Sequence, residues 1–223
     1  PGLREAIAAE WGLDRSLPAQ YLDFLLRILQ GDFGTSYVLR QPVTEVVGSQ
    51  LMPTVQLALL GGLLAIVIAV ALALLTAGRG RISRQIASFL ELVFASTPVF
   101  WLGILLLMAF SFTLRWFPVS GASGWKSIVL PSLTLALPTA GLLAQVLREA
   151  MEKTLDQPFV TTVRSRGAGE LVIRARHVLR HALLPAVTLG GWLIGGLLGG
   201  AVITEKVFGR PGLGTVTLGA VLT

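Results

Sequence analysis

The sequence contains no cysteine. Disulfides, thiolate metal sites and thiol catalysis are therefore excluded, and nothing is implied about compartment. Charge is also scarce. Only 13% of the 223 residues are Asp, Glu, Lys or Arg, against roughly 25% in an ordinary soluble domain. No G-x-x-x-x-G-K-[ST] run occurs, so the chain does not bind nucleotide through a P-loop. Histidine occurs twice, at His177 and His181. Their spacing would put both on one helix face, but no HExxH glutamate lies between them, and surface groups on a basic loop are favoured over a metal site. No nucleophile–base pair and no cofactor motif is legible, which argues against an enzyme.

What the sequence does have is apolar length. It is 53% hydrophobic, with a mean hydropathy of +0.75. Four uncharged runs stand out: Thr54–Ala77, Leu92–Leu114, Ser127–Leu147 and Ala182–Thr204. Each can cross about 30 Å of hydrocarbon as a helix. Backbone groups in lipid must be paired internally, so helices are predicted, and the alternation of a β-barrel is missing. The expected fold class is an all-α integral membrane protein, a polytopic bundle with four spans in this chain. The net charge of +6 sits beside these runs without interleaved aromatics or a nucleic-acid motif. That points to membrane lipid and away from nucleic acid.

Loop charge orients the spans. Leaving aside Glu91 at the edge of the second run, the segments after the first and third runs hold ten basic and four acidic residues, and the opposite side holds eight and seven. The positive-inside rule places the first set in the cytoplasm. The expected organisation is an external arm over residues 1–53 and a transmembrane domain over 54–223, with a cytoplasmic loop at 148–181. An external polar arm implies an earlier span, and the Gly-rich stretch near Thr223 leaves room for a later one. Within the arm, "LPAQYLDFLLRILQG" carries Leu22, Leu25, Leu26 and Leu29 at helical spacing, with Pro18 near the start and Gly31 as stop. It reads as an amphipathic helix, gripping lipid or packing on the spans.

Several residues in or near the runs are candidates for function. Glu91 lies seven residues after Arg84 and is read as reaching the interface, a functional intramembrane acid being the alternative. Pro98, Trp101, Pro131 and Pro138 are candidates for a path lining, the prolines as kink sites, with simple packing as the alternative. Gly191, Gly195 and Gly199 share one face of the fourth run, and Gly196 and Gly200 another. This spacing marks a tight helix contact, within the chain or with another subunit.

The densest feature is the basic segment before that run. "TLDQPFVTTVRSRG" places Asp156 and Pro158 at a helix start and Gly167 at its C-cap. A second helix is expected from "GELVIRARHVLRHALLP", with Leu171, Val172, Ala175, Val178, Leu179 and Ala182 as its apolar stripe. A lipid-headgroup belt would account for the charge. A Gly-bounded turn is more than a belt requires.

This segment resembles the EAA loop of binding-protein-dependent ABC importer permeases. More narrowly, the chain resembles the first-permease type of the dipeptide/oligopeptide/nickel family, through "GLDRSLPAQYLDFLLRILQGDFGTSY", "PVTEVV", "STPVFWLGILL", "WFPVSG", "LPSLTLALP", "RGAGELVIRARHVLRHALLP" and "EKVFGRPGLG", in order over nearly the whole chain. The EAA letters themselves are replaced by Thr161, Thr162 and Val163. The resemblance implies the type I importer permease fold, with six spans in the full protein. It also implies a paralogous permease partner, two cytoplasmic ATPase subunits, an external solute-binding protein, and hydrolysis confined to the ATPases. ATPase coupling would fall to Phe159, Val160, Thr161, Thr162, Val163, Arg164, Ser165, Arg166 and Gly167. The solute would be a peptide, nickel or its chelate, an opine or a glutathione-like molecule. The rival classes are a self-contained secondary transporter or channel, which predicts buried midplane charge pairs and inverted repeats, and a membrane scaffold.

Overall fold

The structure is a computed structural model describing residues 2, 16–36 and 38–222. Among the described residues all regular structure is helical, apart from one isolated bridge between Thr35 and Pro42. The chain divides into a unit ending at Ser49 and a unit of residues 50–222.

The first unit holds helix α1 (Leu17–Leu29). Pro18 sits in its first turn, where a missing N–H costs nothing. Gly31 ends it with φ +81°, and Gly31 N–H and Asp32 N–H donate back to Ile28 O and Arg27 O. The predicted leucine stripe forms, but no residue of α1 is buried.

The second unit is organised around α5 (Lys126–Leu155), the most buried of the long helices. Helix α2 (Val43–Thr76) is 34 residues long, about 50 Å. It lies against α5 through Gly61, Ala65, Ala69 and Ala73, a row of small residues one helical turn apart that ends at Ala77 just past the helix. A Cβ on Gly61 would meet Leu135 Cβ at 3.0 Å. Small residues let two backbones approach closely, which is how helices associate where the hydrophobic effect is weak.

The second predicted span is corrected. Leu92–Leu114 is not one helix: α3 (Arg81–Ser96) and α4 (Val99–Thr113) meet at a bend of 102°. Thr97 and Pro98 are both extended, with ψ 123° and 133°. The Pro98 ring pushes Thr97 out of the helical region and removes a backbone donor, so the apolar run breaks where its hydropathy does not. Helix α4 is π-helical over Leu107–Thr113. By contrast α5 continues through Pro131 and Pro138 without a break.

After α5 come the short α6 (Pro158–Ser165) and the long α7 (Glu170–Val207), the latter π-helical over Ile173–Val178. Helix α8 (Leu213–Leu222) closes the described chain. By length and apolarity α2, α5 and α7 can cross a membrane, and the bent α3–α4 pair supplies a fourth crossing if counted as one.

At the Arg-poor end a polar clip joins three helices. Glu205 is fully buried. Its Oε1 accepts from Thr54 Oγ1 at 2.5 Å and its Oε2 from Gly214 N–H at 2.8 Å. Thr54 Oγ1 in turn accepts from Leu213 N–H at 2.9 Å. The first N–H groups of α8 thus find partners, and a carboxylate faces the positive end of the helix. Arg210 donates to Ser127 O at 3.0 Å and Ser127 Oγ at 3.1 Å. Burial pushes the Arg210 guanidinium below its ordinary value, with Glu205 opposing.

Candidate functional site

The basic segment folds as a short helix standing on the bundle. Gln157 is extended, Pro158 opens α6, and Gly167 closes it with φ +80°. Gly167 N–H donates to Arg164 O at 3.0 Å. Nothing lies within 4 Å of a Cβ placed on Gly167, so only its backbone conformation calls for glycine. Gln157, not Asp156, holds the N-cap.

The nine residues from Phe159 to Gly167 divide by direction. Val160 has no exposed surface and belongs to the core cluster of Met151, Ile173, Val178 and Ala182. Expected as a partner-facing residue, it instead fixes α6 to this chain. Apolar burial of this kind stabilises by about 25 cal/mol per Å² removed from water. Phe159 and Val163 pack partly against the same cluster, and the Phe159 ring stands 5.3 Å from the His181 imidazole. Thr161, Thr162, Arg164, Ser165, Arg166 and Gly167 are exposed. The free face of α6 is therefore short, polar and positively charged.

A salt bridge steadies the turn after it. Arg164 Nε and Nη2 donate to the two Glu170 carboxylate oxygens at 2.7 and 3.3 Å. Hydrogen bonding to Glu170 raises the Arg164 guanidinium further above its ordinary value. Both side chains are about half exposed, so the pair contributes little to stability.

The predicted stripe of α7 is corrected at its start. Leu171, Val172 and Ala175 are exposed, while Ile173, Arg174, Val178 and Ala182 are buried. The π-helical stretch separates inward positions Ile173 and Val178 by five residues instead of three or four. Sequence reading with a period of 3.6 assigns the wrong face there.

Most of the glycine stripe makes no contact with the rest of this chain, and the path candidates differ in exposure. No atom lies within 4 Å of a Cβ on Gly191, Gly195, Gly196 or Gly199; only Gly200 is close-packed, against Leu135. Close contacts between spanning helices are also made at Gly61, Gly62, Gly103 and Gly141. Pro131 is fully buried within α5 and lines nothing, and Pro138 is half-buried. Pro98 and Trp101 are exposed at the α3–α4 bend, where with Val93, Ser96, Thr97 and Phe100 they border an open apolar depression.

Two buried charges were misjudged from sequence. Glu91 does not reach an interface: it is 2% exposed and pairs with Arg148 of α5. Arg174, counted among the ten basic residues of the cytoplasmic loops, is 7% exposed and donates to Leu74 O at 2.9 Å. The signal for the first was present, since Glu91 and Arg148 bracket two apolar runs on the same predicted side.

Comparison with known proteins fits this arrangement. The family described as binding-protein-dependent transport system inner membrane component matches residues 63–223. The glutathione transport system permease protein GsiC of Salmonella choleraesuis is 37% identical over 216 residues, 96% of this chain and 71% of that protein. Its namesakes from Pectobacterium atrosepticum and Escherichia coli K12 are 38% and 35% identical over 218 residues, each covering 97% of this chain and 71% of the relative. Among solved structures, a crystal structure of an amino acid ABC transporter with histidines superposes with a TM-score of 0.59 at 17% identity, over 81% of each chain. At that identity the likeness concerns the fold.

Proposed function

Because the chain belongs to the binding-protein-dependent transport system inner membrane components, and is therefore a permease subunit of an ABC importer in the inner membrane, we propose that it forms half of a translocation path for glutathione or a short peptide. Subunits of this kind work with ATPases and a solute-binding protein. Here the partners are a paralogous permease, two cytoplasmic ATPase subunits and an external binding protein. ATP is hydrolysed by the ATPases, and this chain is not itself an enzyme.

In this reading the Arg-rich end faces the cytoplasm and the Thr54–Glu205 clip lies outside. Helix α6 enters a groove of an ATPase with Thr161, Thr162, Ser165 and Arg166, and closure of the two ATPases displaces it. The observation that carries this role is the construction of α6, with Val160 seating it on the core and a polar face left free. Such a helix passes on a push without unfolding.

The test is uptake by the complete importer in proteoliposomes, with labelled glutathione, a dipeptide and a nickel chelate offered separately. ATP-dependent accumulation of glutathione or the dipeptide is expected. Accumulation of the chelate alone would refute the solute class, and equal uptake without ATP would refute the importer.

A further inference from the structure

The charged cluster between α3 and α5 has no part in docking, yet it is the most elaborate polar contact in the second unit. Arg148 Nε donates to Glu91 Oε1 at 2.9 Å and Arg148 Nη2 to Glu91 Oε2 at 2.7 Å, a bidentate pair. The same Nη2 donates to Ser88 Oγ at 3.0 Å. One turn further along α5, Glu152 lies 3.5 Å from Arg148 and 3.3 Å from Arg84. Gly141 brings the two helices together: a Cβ there would meet Glu91 O at 2.7 Å and Ala95 N at 2.9 Å.

A buried ion pair is weak evidence of stabilisation. Replacing a buried ion pair with well-packed apolar side chains is often neutral or stabilising. A bidentate pair adds geometric specificity to the contact between two helices as well as energy.

Its position gives that specificity a use. Leu147 and Met151 of α5 share a core cluster with Val160 of α6. The turns of α5 that hold α3 through Arg148 and Glu152 therefore belong to the same core cluster as α6, and the Ile173–Val178 stretch of α7 packs against both α5 and α6. At its other end α3 stops at Ser96, at the 102° bend, and exposed Phe100 and Trp101 follow. Resting on the reading of α6 as the ATPase dock, we propose that the Glu91–Arg148 pair is a strut. It carries displacement of α6 through α5 into α3 and so to the α3–α4 bend. Both are positioning residues; neither touches the solute.

The experiment uses the complete importer in proteoliposomes, with copurification of the ATPases, ATP hydrolysis and glutathione uptake read on each preparation. The variants are Glu91→Gln, Arg148→Gln, the apolar pair Glu91→Leu with Arg148→Met, and the swapped pair Glu91→Arg with Arg148→Glu, the last made with Glu152→Gln so that no second carboxylate faces position 148. Gly167→Val is the docking control. The apolar pair is expected to keep copurification and hydrolysis, whereas each single variant leaves a buried charge unpaired and should also lower yield, so its ratio is read on the protein that assembles. Solute moved per ATP should fall about 2- to 30-fold, the range over which residues remote from both sites alter coupling. The swapped pair should regain most of that loss. The strut is overturned if the apolar pair transports at the wild-type ratio, if the swapped pair stays as uncoupled as the singles, or if ATPases are lost from every variant, since the pair then only holds the fold. An impaired Gly167→Val beside unimpaired strut variants overturns the strut alone. A silent Gly167→Val overturns the docking reading and the strut with it.

Discussion

Arg174 Nη1 reaches back a hundred residues to donate to the Leu74 carbonyl at 2.9 Å, while its Nε bonds Glu170 O at 3.2 Å. Leu74 lies in the last turn of α2, where carbonyls lack helical partners and the helix dipole is negative. One arginine therefore caps α2 and ties it to the start of α7.

Arg174→Gln should destabilise the solubilised protein by about 1–3 kcal/mol, the cost of a buried group left without its partner. Arg176→Gln, exposed on the same helix, should stay within about 0.5 kcal/mol. Thermal unfolding in detergent measures both. Equal effects would mean that the segment acts through its total charge, as a lipid belt.

Gly167→Val should leave membrane levels near normal, because no atom stands where the side chain would go. The left-handed conformation becomes costly by roughly 1–2 kcal/mol for a residue with a Cβ, and more where that carbon is branched. The turn then relaxes and re-aims the free face of α6. Uptake and ATPase copurification are expected to drop together, and normal values of both would remove the docking role.

Gly195→Leu and Gly214→Ala should behave in opposite ways. A Cβ on Gly214 runs into Val202 and the Glu205 carboxylate, so the isolated chain should lose stability and yield. Gly195 has open space around it, so Leu there should spare the isolated chain but reduce copurification of the second permease. Immunoblots of the chain and its partner separate the two cases. Loss of the isolated chain in Gly195→Leu would contradict the geometry.

The topology can be read by single cysteines, because the chain has none of its own. Ser120 and Arg166 are both exposed. A cysteine at 120 should react with an impermeant maleimide added outside sealed cells, and one at 166 only after the membrane is opened. Labelling at 166 from outside would invert the assignment.

Helical class, the three unbroken spans and the Pro158–Ser165 helix were legible because each has a local cause: a long uncharged run, a proline at N1, a glycine at C′. The bend at Thr97 was only half legible. Pro98 gave its place, but the extent of turning depends on what α3 and α4 pack against. The bonds of Arg174 to Leu74 and of Glu205 to Thr54 were not legible, since the partners lie 100 and 151 residues apart and no local pattern encodes them. The glycine stripe drew notice through its composition, while the contact in this chain was made by alanines at 65, 69 and 73, whose spacing is equally regular but whose residue type is unremarked in an apolar run.

The bond from Thr54 to Glu205 also fixes an order of events during synthesis. Its partners are 151 residues apart, so at about 5–20 residues per second the hydroxyl emerges some 8 to 30 seconds before the carboxylate. For that interval Thr54 has only Gln50 O, at 3.3 Å, to bond within its own helix. The end of α2 that carries Thr54 is thus made well before it is fastened. A ribosome stalled before Glu205 would leave a chain that is inserted but unlatched there.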